Sequence, residues 1–265
     1  MSFVFDLYID RPSWLHRLDP RTKLAFVVLS SIVLLNFSHP LISATFLLGI
    51  HGILWSGKVP ASRLRWAWQR MWPITFLILF LWPIFYPQGD EVLLQVWRVR
   101  ITTQSLLQGL STALRVDALA FAFLVLLFST DQARLVRGLV KLGLPYEWGL
   151  TLAIALRYLP TLYGIYATVS EAQQARGWVI GEGNFVRRIK SYLPILVAVI
   201  VTALRLADSL SMALAARGFQ SGTRRTYLRE LRLGPADKVC LPLFAVSLIA
   251  FLIIRFRPSL GIHLW

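Results

Sequence analysis

The chain has 265 residues, 56% of them hydrophobic and only 15% charged, with a mean hydropathy of +0.60. Soluble domains carry about 25% charged residues, so this composition excludes an ordinary soluble protein and implies an integral membrane protein. The formal charge of +15 can signal nucleic acid in a soluble domain; here the basic residues sit in links between apolar runs, so they read as topology signals and no nucleic-acid partner is expected.

The first 23 residues hold Asp6, Asp10, Arg11, Arg17, Asp19, Arg21 and Lys23 without an early apolar core, so no cleavable signal peptide is expected. Apolar runs follow near 24–37, 41–55, 72–87, 104–128, 147–170, 191–215 and 238–257. A helical span needs about 20 residues, or slightly fewer where the bilayer thins. Many of the ten Trp lie near run ends, as in an interfacial belt. The expected fold is therefore all-α, with about five transmembrane helices. The single Cys240 lies in an apolar run, so no disulfide framework exists.

Charge gives the topology. The N-terminal segment is basic and belongs inside. The link Asn36–Pro40 has no Lys or Arg and belongs outside; Lys58, Arg63, Arg65 and Arg70 belong inside. The link 87–103 balances Asp90 and Glu91 against Arg98 and Arg100 and is placed outside. The fourth run returns inward to Arg134, Arg137 and Lys141. If 147–170 spanned, Arg176, Arg187, Arg188 and Lys190 would lie outside. The economical solution keeps 131–236 cytoplasmic. It yields a four-span region 1–130, a cytoplasmic region 131–236 and a final span within 237–265, with Arg255 and Arg257 as the exception left outside.

That solution makes 147–170 and 191–215 too apolar for water-facing helices, since their apolar residues are not confined to one stripe. They must lie at the membrane boundary, pack on each other and be covered by other subunits. Gly149, Ala153, Gly164 and Ala167 on one helix, and Ala198, Ala203 and Ala207 on the other, would allow close crossing. Pro160 and Pro194 bend or start these helices, or simply punctuate them.

Each run ends in the same word, A-x-x-A-R-G-aromatic: Ala172–Trp178 and Ala213–Phe219, 41 residues apart. Glycine just past a helix can take the left-handed conformation that closes it. Arginine in the last turn complements the helix dipole and can fork onto a carboxylate or carbonyls. A repeated tip at two helix ends suits docking onto a partner that is itself two-fold. The site residues are thus Ala175, Arg176, Gly177, Ala216, Arg217 and Gly218.

No catalytic or metal constellation is legible, and no cofactor is expected. His16, His39, His51 and His263 are scattered, there is no G-x-x-x-x-G-K-[ST] loop, and Gly181-Glu182-Gly183 reads as a turn. Arg115 and Asp117 sit inside the fourth span, where ionisable groups default to function. At i and i+2 they do not face each other, so each needs another partner, and structural pairing within the bundle is the favoured reading. Arg157 also lies on an apolar run, and Arg205 and Asp208, at i and i+3, are expected to pair.

Several segments together resemble the transmembrane T component of energy-coupling factor transporters, the EcfT/CbiQ family. They are Leu15–Leu24, the stretch from Ser129-Thr130 through Leu144-Pro145 to Ala155–Pro160, and the two Ala-Arg-Gly words at 175–177 and 216–218. The resemblance implies a non-enzymatic scaffold in a prokaryotic cell membrane. Its two crossed coupling helices would dock through Arg176 and Arg217 onto two ABC-type ATPase subunits. A separate substrate-binding S component would rest on those helices and capture a vitamin or a transition metal such as cobalt or nickel. The alternative is a self-contained secondary transporter or channel, for which only Arg115 and Asp117 offer a midplane site.

Overall fold

The computed structural model describes residues 8–37, 39–86, 92–96, 99–179, 181, 184–219, 231 and 233–256. Asp90, Glu91, Arg98, Glu182, Gly183, Arg257 and His263, used above for topology or for metal ligands, lie outside the described residues, as does the Arg255 side chain. The fold is all-α as expected, with one small hairpin. In chain order the elements are α1 (Trp14–Arg17), α2 (Pro20–Asn36), α3 (Pro40–Ser56), α4 (Ala61–Phe85), β1 (Val92–Val96), β2 (Val99–Thr102), α5 (Thr103–Ser129), α6 (Gln132–Lys141), α7 (Tyr146–Ala175), α8 (Phe185–Ala216) and α9 (Pro235–Phe256).

Start signals in the sequence explain most boundaries. Pro20 and Pro40 occupy first-turn positions, where the missing N–H costs nothing. Asp19 caps α2 by accepting from the Arg21 N–H at 2.9 Å, and His39 caps α3 through Leu41 N–H at 3.3 Å. Thr102 and Ser105 form a reciprocal capping box at the start of α5. Two elements differ from the sequence reading. The basic link before the third run is not a loop: α4 begins at Ala61 and carries Arg63, Arg65 and Arg70 through its first turns. The intervening Ala, Leu, Trp, Gln and Arg are competent helix formers. The link between α4 and α5 holds the antiparallel pair β1–β2, with an irregularity between Val92 and Leu94; a two-stranded ribbon leaves only a weak, short alternation to read.

Residues 1–144 and 231–265 form one compact unit, and 145–230 form another. The boundary expected at 130/131 falls before α6, which packs on α2 inside the first unit. A Cβ at Gly138 would stand 3.0 Å from Pro20 Cβ, so any larger residue there would have to push α6 and α2 apart by a few tenths of an ångström.

In the first unit α5 is the central post: α2, α3 and α4 all pack on it. Phe121, Ala122, Val125 and Phe128 from α5 meet Leu34, Leu47, Ile50 and Leu54 in one apolar core. Beside this core, the charged opening segment is buried. Lys23 Nζ donates to the Ser129 carbonyl at 2.8 Å and to Thr130 Oγ1 at 3.1 Å. Asp237 accepts from Asp19 N–H through Oδ1 and from Gly234 N–H through Oδ2, both at 2.9 Å. Asp19, Lys23 and Asp237 are all within 5% of full burial. The end of α5 and the start of α9 are thereby tied to one point on α2. Ser13 Oγ and His16 Nδ1 share a 2.6 Å hydrogen bond, and burial together with the Lys23 charge holds the His16 imidazole below its usual range.

In the second unit α7 and α8 pack on each other. Pro160 and Pro194 lie inside their helices and start neither. Gly149 and Ile195 are buried, but a Cβ at Gly164 would meet nothing within 4 Å, so the close approach expected there is not made.

Removing the Lys23 ammonium strands a buried carbonyl, which costs about 1–3 kcal/mol. Lys23→Met should lower the melting temperature in detergent by several degrees, whereas Arg11→Gln, at an exposed position, should not. Equal melting of the two variants would show that the buried lysine holds nothing together.

Candidate functional site

The two repeated words become two near-identical helix ends. Arg176 and Arg217 are the C-cap residues of α7 and α8. Gly177 and Gly218 follow with φ of 82° and 69°, the left-handed region that favours glycine. At the first tip Gly177 N–H donates to Gln174 O at 2.9 Å and Trp178 N–H to Gln173 O at 3.0 Å. At the second tip Gly218 N–H donates to Ala215 O at 2.9 Å and Phe219 N–H to Leu214 O at 3.0 Å. Both ends are thus Schellman caps. The repeat is therefore one of backbone shape as well as sequence.

What the two tips expose is also the same. Ala175, Arg176 and Gly177 are exposed, and so are Ala216, Arg217 and Gly218. Among the described residues neither guanidinium has a hydrogen-bond or ion-pair partner. Each tip therefore presents an unpaired cation beside a small-residue face, at the negative end of its helix.

The tips are well separated. Trp178 of the first tip is bonded to Ser191 of α8, and α8 runs 26 further residues to Arg217, about 39 Å at the α-helical rise. One groove on one partner cannot hold both tips at such a separation.

The tips differ in one detail. Trp178 Nε1 donates to the Ser191 carbonyl at 2.8 Å, and Gly181 N–H to Ser191 Oγ at 3.1 Å. The first tip is latched to α8 through these bonds. The sequence marks Trp178 only as an aromatic; nothing in it announces Ser191 as its acceptor.

The flanks of both helices are apolar and open. Among the described residues α5, α7 and α8 are long and apolar enough to cross a membrane. In the most apolar stretch of α5 44% of residues are buried, against none in α7 and 6% in α8. Trp148, Phe185, Val197, Leu204 and Met212 are all more than half exposed.

The other candidate residues are placed as follows. Arg115 and Asp117 do not pair with each other. Arg115 Nη2 donates to the Phe37 carbonyl at 2.9 Å, and Thr75 Oγ1 donates to Asp117 at 2.8 Å. Each thus ties α5 to a neighbouring segment of the bundle. The expected Arg205–Asp208 ion pair is not formed; both side chains are exposed on α8, where such a pair contributes only about 0–1 kcal/mol. Arg157 is likewise exposed. His51 has structural partners: its Nδ1 lies 2.8 Å from Leu47 O, and its Nε2 accepts from Trp68 Nε1 at 3.0 Å.

The family model described as CbiQ, cobalt transport protein, matches residues 11–228. The chain belongs to this family of energy-coupling factor transporter membrane components. It is 33% identical to the energy-coupling factor transporter transmembrane protein EcfT of Lactococcus lactis subsp. cremoris, over 96% of each chain. The EcfT of Streptococcus equi subsp. equi is 31% identical over 97% of this chain and 98% of its own, and that of Listeria innocua serovar 6a is 32% identical over 92% and 95%. This EcfT-family chain is accordingly a membrane transport component, and the paired tips fall inside the region the family model covers.

A Cβ at Gly177 would meet no atom within 4 Å, so a substitution there costs only backbone strain, about 1–2 kcal/mol for an ordinary side chain. Asparagine tolerates this conformation and valine does not. Amide exchange over Gln173–Arg176 should accelerate more in Gly177→Val than in Gly177→Asn. Equal exchange in both would show that the left-handed cap does not hold the tip.

Proposed function

We propose that this chain is the coupling subunit of an energy-coupling factor importer in a prokaryotic cell membrane. Two ABC-type ATPase subunits engage the α7 and α8 tips, Arg176 seated in a groove of one and Arg217 in a groove of the other. Their closing and opening on ATP moves the two helices, and the exposed apolar faces pass that movement to an S component that binds the vitamin or transition-metal ion. The chain itself catalyses nothing. Substrate choice resides in the S component.

The observation that carries this reading is the pair of matching tips, each capped alike, each with an exposed and unpaired arginine, separated by most of the length of α8. Charge supports the cytoplasmic placement of 131–236. Were α7 and α8 both to cross the bilayer, Arg176, Arg187, Arg188 and Lys190 would lie outside, against the positive-inside trend. The two tips would then face opposite sides and could not serve one pair of ATPases. A self-contained transporter is less well supported, because Arg115 and Asp117 are each committed to a bundle partner.

If each arginine is buried against a carboxylate or carbonyls of an ATPase, truncation costs about 2–5 kcal/mol at that contact. The single variants Arg176→Ala and Arg217→Ala should still assemble but transport poorly. The double variant should insert in the membrane normally and lose both ATPases in a pull-down. Retention of both ATPases with normal transport would reduce the tips to ordinary helix caps.

A further inference from the structure

An open cleft of about 540 Å³ lies where the N-terminal segment, the end of α3 and the start of α9 meet. That volume is within the range of about 300–1,000 Å³ typical of small-ligand sites. Its walls are apolar, with Pro12, Trp14, Pro235 and Ala236, and its two cations are Arg17 and Lys58. Both cations are exposed, and neither has a hydrogen-bond or ion-pair partner among the described residues. The cleft also contains one carboxylate, Asp237. Its oxygens already accept the Asp19 and Gly234 N–H groups, and its charge acts on the buried Lys23. Ser13 Oγ and Ser56 Oγ are engaged locally, with His16 and with the Ile53 carbonyl. Two cations are thus left facing an apolar-walled opening with no counter-charge of their own.

The depth of the cleft says what can reach it. It adjoins the last turn of α3, where Trp55 is 82% exposed and Trp14, on the cleft wall, is 44% exposed. Exposed tryptophans at the end of a span mark the headgroup level. We propose that this cleft holds the headgroup of an anionic phospholipid, its phosphate between Arg17 and Lys58 and its glycerol end against Trp14 and Pro235. The inference rests on reading α3 as a span with its Lys58 end at the cytoplasmic face, and it is independent of how the tips dock. A lipid seated there would bridge the N-terminal segment, α3 and α9 beside the buried Asp19–Asp237 contact.

The test uses the chain with its co-purifying subunits, passed through phosphatidylcholine vesicles with or without phosphatidylglycerol, and counts retained lipid by native mass spectrometry. One phosphatidylglycerol should stay bound to the wild type. Each basic residue near anionic lipid is worth about fivefold in affinity, so Arg17→Gln with Lys58→Gln should weaken retention about thirty-fold. Melting in phosphatidylcholine alone should be unchanged in this variant, which separates lost binding from lost folding. Arg65→Gln with Arg70→Gln, on the nearby α4, should retain the lipid; an equal loss there would show only general surface charge and overturn the assignment. Short-chain phosphatidylglycerol should displace the lipid and inorganic phosphate should not. Displacement by phosphate would make the cleft a free-anion site and overturn the lipid assignment. Loss of the lipid with both ATPases still attached separates this inference from the docking of the tips.

Discussion

The constraint on which the rest depends is uncovered apolar surface. Two helices of 30 and 32 residues carry apolar side chains on every side, yet their most apolar stretches bury almost nothing. Covering such surface yields about 25 cal/mol per Å² of apolar area. A hairpin of this kind is stable only against lipid and other subunits. Under the proposed coupling role that exposure is useful, because a surface shared between partners passes movement from one to another. The tips depart from these apolar stretches. There the backbone is closed by its own hydrogen bonds, and the side-chain charge is left over for another molecule.

The first unit follows the opposite rule. At its centre three charged residues, Asp19, Lys23 and Asp237, are buried and hydrogen-bonded. Lys23 meets two acceptors at the end of α5, and Asp237 accepts two backbone N–H groups at the start of α9. An unpaired group in such a place would be costly, so these bonds fix where α2, α5 and α9 meet. The family-like opening segment Leu15–Leu24 supplies much of this joint. Its Asp19 and Lys23 brace the bundle, while Arg176 and Arg217 of the second unit are exposed. The same residue types therefore serve opposite ends in the two units, and burial separates them.

Much of this was legible in the sequence because it depends on local rules. The apolar runs located the long helices, since length and hydropathy suffice for that. The R-G words located both tips, since a glycine past a helix end has few other uses. Arg115 and Asp117 were correctly denied each other as partners by helix periodicity. What was missed depends on contacts distant in the chain. Asp19 meets Asp237 across 218 positions and Lys23 meets Ser129 across 106, and no local pattern announces either. The Trp178–Ser191 latch needs a turn whose geometry the sequence does not specify. Basic residues do not by themselves separate helix from link, so α4 starts earlier than its apolar run, and the β1–β2 ribbon is too short for its alternation to stand out. The Arg205–Asp208 pair was over-read from spacing alone.

Equivalent positions on the two tips give the most direct test of coupling. A photo-reactive residue placed at Gln174 in one variant and at Ala215 in another lies two positions before each arginine, at matching sites in the two words. Irradiation of membranes containing the whole assembly should attach an ATPase subunit to the chain from both positions, with neither adduct formed when the subunits are expressed apart. Adducts to lipid alone, or to an ATPase from only one of the two tips, would contradict two-point docking.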